Sequence, residues 1–161
     1  MFARLKPYLP VFVITAVTAL AAAAIAAQEI WFDCMWWMQM FMGLFLLVFG
    51  MLKCFDLQGF AKGFKKYDVI TQKCPSYGLA FPFIELALGL MLLANCHTVY
   101  AYWGALVIST VTLYGVLKAL RAGMDVRCAC LGTMLSVPLS TVTVVENAGM
   151  MVMTAAMLIW M

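Results

Sequence analysis

Apolar residues occupy five long runs of this chain, and short polar segments separate them. The runs cover residues 8–27, 36–53, 79–95, 99–118 and 141–161. A helix that crosses a bilayer needs about 20 predominantly apolar residues, and each run approaches that length. Every backbone amide must be hydrogen-bonded within lipid, which favours helices. The pattern therefore predicts an all-α, polytopic membrane helical bundle with five spans.

The composition supports an integral membrane protein. Hydrophobic residues make up 66% of the 161 positions, charged residues 11%, and the mean hydropathy is +1.02. Soluble domains carry about 25% charged residues. The net charge of +3 fits attraction to anionic lipid headgroups. It does not indicate a nucleic-acid partner, because no soluble basic domain is present; the expected partner is the lipid bilayer itself.

The basic residues predict the orientation of the bundle. When the five runs are joined in order, all ten basic residues fall on one face of the membrane. They are Arg4, Lys6, Lys53, Lys62, Lys65, Lys66, Lys73, Lys118, Arg121 and Arg127. By the positive-inside rule this face is cytoplasmic. We therefore expect a multi-pass protein of the bacterial inner (plasma) membrane, with its N-terminus inside and its C-terminus outside.

The first run divides the chain into two parts. Residues 1–33 are predicted to form an N-terminal transmembrane helix that serves as a signal anchor, and residues 34–161 form a four-helix domain. The alternative is a secretory signal peptide cleaved after Ala24-Ile25-Ala26. Cleavage would leave four helices with the same orientation.

Two local patterns predict the packing of the second run and the structure of the polar stretch after it. Gly43 and Gly50 are seven residues apart on one helix face, which favours close contact with another helix. In the polar stretch from residue 55 to 73, four apolar residues recur at helical spacing. They are Leu57, Phe60, Phe64 and Tyr67. This stretch is predicted to form a short helix in the cytoplasmic headgroup region.

The predicted topology sorts the six cysteines by membrane face. Cys34 and Cys96 fall on the outer side, where an oxidising compartment would allow a disulfide between them. The alternative is two unrelated small apolar residues, since free cysteine is commonly buried. The other four fall at or near the inner face: Cys54, Cys74, Cys128 and Cys130.

The Cys128-Ala129-Cys130 sequence is the clearest candidate for chemistry. Two thiols with one residue between them can share a soft metal ion, or they can close into a strained, readily reduced disulfide. Arg127 beside them favours the thiolate. Both alternatives stay open. In the metal alternative Cys54 and Cys74 join the pair as ligands for Cu(I) or Hg(II), with Cys34, Cys96 and His97 as outer ligands.

Glu85 and Glu146 are acidic residues inside apolar runs, and such residues are candidates for function. Each also has a structural explanation, because Glu146 follows Thr143 and Glu85 follows Pro82 at the spacing of a helix start. Their runs both begin on the inner side, so the two carboxylates are expected at similar depth near the inner cysteines. There they could move protons during thiol exchange or assist metal entry.

From about Gly43 to the C-terminus the chain resembles the MauE/DoxX-type small redox-associated integral membrane proteins. The motifs are Phe49-Gly50 with Lys53, Gly59-Phe60, Tyr67-Asp68, Pro82-Phe83-Ile84-Glu85 with Gly89, Cys128-Ala129-Cys130-Leu131-Gly132, Pro138-Leu139-Ser140 and Glu146-Asn147. The resemblance implies a DoxX-like four-helix core. It also implies a maturation role in methylamine utilisation beside a thioredoxin-like partner. Cys128 and Cys130 would be its redox pair, and Glu85 and Glu146 its membrane carboxylates.

The sequence supports three hypotheses about function. The leading one is a membrane thiol-disulfide oxidoreductase that exchanges electrons with a thioredoxin- or glutaredoxin-like partner through Cys128 and Cys130. The second is a soft-metal binding or transport protein for Cu(I) or Hg(II). The third is an assembly factor whose cysteines do no chemistry.

Overall fold

The computed structural model describes residues 9–27, 33–122 and 139–160, and this part of the chain is helical without any strand. It contains seven helices. They are α1 (Leu9–Ala26), α2 (Cys34–Phe55), α3 (Leu57–Phe64), α4 (Val69–Lys73), α5 (Pro75–Leu93), α6 (Thr98–Arg121) and α7 (Leu139–Trp160). Each of the five predicted apolar runs coincides with one of the long helices. The prediction of an all-α membrane helical bundle is confirmed.

Three of these helices are long and apolar enough to cross a membrane. They are α2, α5 and α6, with mean hydropathies of 1.8, 1.7 and 1.5. Shorter apolar stretches of α1 and α7 cover Val11–Ala26 and Val144–Trp160. The chain is therefore a multi-pass membrane protein.

Aspartate side chains cap the N-termini of three helices, where the first backbone amides have no partner within the helix. The Asp33 carboxylate accepts a hydrogen bond from the Met35 amide at 2.9 Å. Asp56 does the same for Gly59 at the start of α3. Asp68 accepts bonds from both the amide and the hydroxyl of Thr71. These caps explain why the polar stretch after α2 forms two short helices instead of the single one predicted.

Glycines bring α2 and α5 into close contact. A Cβ atom added to Gly89 would lie 2.9 Å from the Gly43 carbonyl oxygen, and one added to Gly50 would lie 3.2 Å from the Pro82 carbonyl oxygen. Only glycine allows the two backbones to approach so closely. The predicted packing role of Gly43 and Gly50 is confirmed, and their partner is α5. Beyond this pair, α6 packs on α7 and α1 packs on α2.

A hydrogen-bonded cluster joins α2, α5 and α6 near the start of α2. The Gln39 side-chain amide donates to the Leu92 carbonyl oxygen at 2.9 Å and to the Asn95 side chain at 3.1 Å. The Tyr102 hydroxyl donates to the Gln39 oxygen at 2.7 Å. Buried polar groups need such partners, so Gln39 fixes the arrangement of three helices at this end.

The apolar face of α3 packs against the rest of the protein. Phe60, Phe64 and Tyr67 are each no more than 2% exposed. The rings of Phe60 and Phe64 contact Tyr77 and Phe81 of α5. Periodicity shows that a face is apolar without showing whether lipid or protein covers it, and here protein covers it. The location of α3 in the headgroup region stays a prediction.

Candidate functional site

A buried ion pair joins α2 to α5. The Lys53 ammonium lies 2.5 Å from both carboxylate oxygens of Glu85, and the two side chains are 7% and 9% exposed. Lys53 is two residues from the end of α2, whereas Glu85 is ten residues into α5, about 15 Å along the helix. Glu85 is therefore too deep to be explained by the start of its helix.

Aromatic rings surround the ammonium group. Lys53 Nζ lies 5.5 Å from the centre of the Phe60 ring and 5.1 Å from that of Phe81. Both distances are within the range of cation–π attraction. The Phe64 ring packs on Phe60 and Phe81 with centroids 5.0 and 4.6 Å apart. The aromatic cluster of α3 and α5 therefore excludes water from one side of the ion pair.

A small cavity adjoins this pair and brings four of the long helices together. It has a volume of about 40 Å³. Its polar lining comes from α2, α5, α6, α7 and the turn before α4: Lys53, Tyr67, Glu85, Ser109, Thr112, Glu146 and Asn147. Phenylalanines form much of the remaining wall. The result is a polar space enclosed largely by apolar side chains.

The structure thus brings Glu85 and Glu146 to one site, at the similar depth that the topology predicts. Glu146 is partly buried and lies seven residues after the start of α7. Thr143 lies within α7, so the capping explanation of Glu146 does not apply.

The end of the bundle nearest this site carries exposed basic residues. These are Lys62, Lys65, Lys66, Lys73, Lys118 and Arg121. Lys53 differs from them, because it is buried against Glu85. Lys53 is therefore a buried member of the basic set that the topology assigns to one face of the membrane. The six exposed residues still place a basic surface at this end.

The cysteines that the structure describes are free thiols. Cys34, Cys74 and Cys96 are exposed, and Cys54 is partly buried. Cys34 begins α2 and Cys96 follows α5, so both lie at the end away from the ion pair. Their disulfide stays a prediction. Cys128 and Cys130 lie outside the described residues.

Within residues 9–27, 33–122 and 139–160, no group of three or more histidine, cysteine or acidic residues could hold a metal ion. Cys54, Cys74 and His97 therefore belong to no such group of three or more ligands within these residues. The four-cysteine set proposed from the sequence also needs Cys128 and Cys130, which lie outside this part.

The sequence analysis missed several residues of the site. The sequence does indicate that Lys53 is unusual, because the apolar run of α2 continues past it to Phe55. A basic residue inside such a run is a candidate for a functional role. Ser109 and Thr112 carry no comparable signal, since hydroxyl side chains are common in membrane helices. Asn147 was noted only as part of a motif.

Fold and site together define a small, all-α, multi-pass membrane protein with an ion pair and a second carboxylate buried among its helices. The family model described as "Methylamine utilisation protein MauE" matches residues 31–161, and the chain belongs to this family. It is a membrane protein of the methylamine-utilisation type. No curated protein and no solved structure matches the chain.

Proposed function

We propose that the protein is a membrane thiol-disulfide redox protein of the MauE family. Cys128 and Cys130 exchange electrons with a thioredoxin- or glutaredoxin-like partner, and Glu85 and Glu146 handle the protons. In this proposal the basic end of the bundle faces the cytoplasm of a bacterium, and the protein serves the maturation of a methylamine-oxidising enzyme.

The observation that supports the proposal is the meeting of two carboxylates in one cavity at the end of the bundle where α6 ends and α7 begins. The cysteine pair belongs to the segment between these two helices. That segment joins α6, which ends at Arg121, to α7, which begins at Leu139. Thr112 and Glu146 line the cavity nine and seven residues from these two helix ends, about 10–14 Å along the helix axes. The attachment points of the segment and the acidic cavity therefore belong to the same end of the bundle.

The exchange is balanced in electrons and protons. The Cys128 thiolate attacks the disulfide of the partner, and one partner sulfur leaves as a thiolate. The Cys130 thiolate then attacks Cys128, closes the Cys128–Cys130 disulfide and releases the second partner thiolate. Two electrons pass to the partner, and the two protons lost by the cysteines end on its thiols. Glu85 and Glu146 carry these protons between donor and acceptor, and reversal of every step oxidises the partner.

Trapping the mixed disulfide tests the proposal. In a Cys130→Ser variant the second attack cannot occur, so a covalent complex through Cys128 accumulates with an oxidised thioredoxin- or glutaredoxin-like protein. It runs as one band without reductant and separates with reductant. The added Cys74→Ser change is the matched control, because Cys74 is an exposed thiol on the same end of the bundle. The complex should survive that change and disappear when Cys128 is replaced.

A different result would establish the competing class. If no mixed disulfide forms, and the purified protein instead binds Cu(I) stoichiometrically, the redox assignment is wrong. Loss of that metal in a Cys128→Ser/Cys130→Ser variant would assign the protein to the soft-metal class. If neither experiment gives a signal, the cysteines do no chemistry and the protein is an assembly factor.

A further inference from the structure

The cavity beside the ion pair is both polar and large enough for water. A buried water needs about 10–15 Å³ of such space and two to four polar partners. The volume of about 40 Å³ therefore has room for about three waters. Carboxylates, hydroxyls and an ammonium group all line it. A dry cavity, by contrast, is lined by apolar groups alone.

Thr112 supplies an independent sign that something polar occupies the space. In a membrane helix a threonine hydroxyl commonly donates to the carbonyl oxygen four residues earlier. Thr18, Thr110 and Thr154 do so, at 2.5, 2.7 and 2.7 Å. Thr112 does not follow them. It is 5% exposed, and its buried hydroxyl has no hydrogen-bond partner among the residues that the structure describes.

A hydroxyl left in this state is costly, because burying a polar group without a partner loses its hydration. Thr112 lines the cavity, with Ser109 nearly one helical turn before it on α6. The orphan hydroxyl and the polar space are therefore parts of one site. Water is the ligand that fits both the volume and the mixture of donors and acceptors.

We propose that the cavity is an internal water site, and that water held by the Thr112 hydroxyl links Glu146 of α7 to the Lys53–Glu85 pair. Water in this position joins two carboxylates that belong to different helices. Its use as a proton path rests on the proposed redox function, whereas the presence of the water does not. Thr112 is a positioning residue in this scheme.

Solid-state NMR of the full-length protein in lipid bilayers tests the site through magnetisation transferred from water to side-chain carbons. The Glu85 carboxyl carbon should receive water magnetisation early, well before the side chain of Met42, which is fully buried and does not line the cavity. A Thr112→Val change keeps the shape of the side chain and removes the hydroxyl. It should weaken the binding of that water about five-fold, the equivalent of one hydrogen bond of ~1 kcal/mol, and so slow the transfer to Glu85.

Two variants complete the test. Thr112→Ser keeps a hydroxyl and should restore fast transfer. Thr110→Val removes an exposed hydroxyl that already bonds to Leu106 and should leave the transfer unchanged. If Glu85 in the unchanged protein receives water magnetisation as slowly as Met42, the cavity is dry and the inference is overturned. Equal transfer in the Thr112→Val and unchanged proteins would overturn the role of Thr112.

The redox function and the internal water site can be refuted independently of each other. A wet cavity without any mixed disulfide would retain the water site and remove the redox assignment. A mixed disulfide with a dry cavity would do the opposite. If the Thr112→Val protein does not fold, the comparison of Glu85 with Met42 in the unchanged protein still decides whether water is present.

Discussion

Removing the ammonium of Lys53 should strongly destabilise the protein, whereas removing both partners of the ion pair should not. A Lys53→Met change leaves the Glu85 carboxylate buried without its partner. Breaking a buried ion pair in this way costs about 3–5 kcal/mol, and replacing both partners by apolar residues is often neutral or stabilising. Methionine retains a flexible apolar chain that can still pack on Phe60 and Phe81. We therefore expect the Lys53→Met/Glu85→Met protein to regain most of the lost stability.

The measurement is equilibrium unfolding in mixed micelles, followed by tryptophan fluorescence and by circular dichroism. A loss of 3–5 kcal/mol is equivalent to a change of about two to four powers of ten in the unfolding constant. Lys62→Met serves as the matched control, since Lys62 is an exposed lysine on α3. Its replacement should change the free energy of unfolding by about 0.5 kcal/mol or less.

Either of two results would refute this reasoning. A loss below about 1 kcal/mol for Lys53→Met would match a solvated surface pair. Equal destabilisation of the single and double variants would mean that the side chains matter through packing and not through their charges.

Three further predictions concern helix packing and orientation. Gly89→Ala should lower the free energy of unfolding by about 1–3 kcal/mol, because the added methyl group overpacks the contact between α2 and α5. Gly149→Ala is the control and should not lower it, since nothing lies within 4 Å of the added atom. Denaturant titration of both variants measures the difference. Gln39→Leu should cost about 1–3 kcal/mol because it leaves buried partners unsatisfied, and an unchanged thermal midpoint would contradict the hydrogen-bonded cluster. The proposed orientation can be tested in intact spheroplasts with a membrane-impermeant maleimide. The reagent should label a variant whose only cysteine is Cys96, on the outer side, and should not label one whose only cysteine is Cys74, on the inner side. The reverse pattern would invert the proposed orientation.

The helices could be predicted from the sequence because lipid imposes a simple condition on length and composition. One boundary was not predictable. The apolar run begins at residue 79, whereas α5 begins four residues earlier, at Pro75. Its first turns pack against α3 and α4 outside the most apolar stretch. Hydropathy alone gives no sign of such an extension, because the stabilising contacts come from distant residues.

The candidate site was predictable only in part. Topology alone placed Glu85 and Glu146 at similar depth, since their helices run in the same direction. The burial of Lys53 could not be read in the same way. Its place before Cys54 and Phe55 is unusual for a lysine, but the pattern is the same whether the side chain reaches lipid headgroups or a carboxylate on another helix. Only the packing of α2 on α5 distinguishes the two.

The separation of Lys53 from Glu85 along the chain has a consequence for biosynthesis. The ribosome adds the lysine 32 residues before the glutamate, so α2 leaves the ribosome before its counter-charge does. A long lysine side chain near a helix end can extend toward the headgroups. We expect Lys53 to help set the direction of insertion in this early stage and to turn inward once α5 has arrived. One residue would then act first in orienting the nascent chain and later in holding the finished protein together.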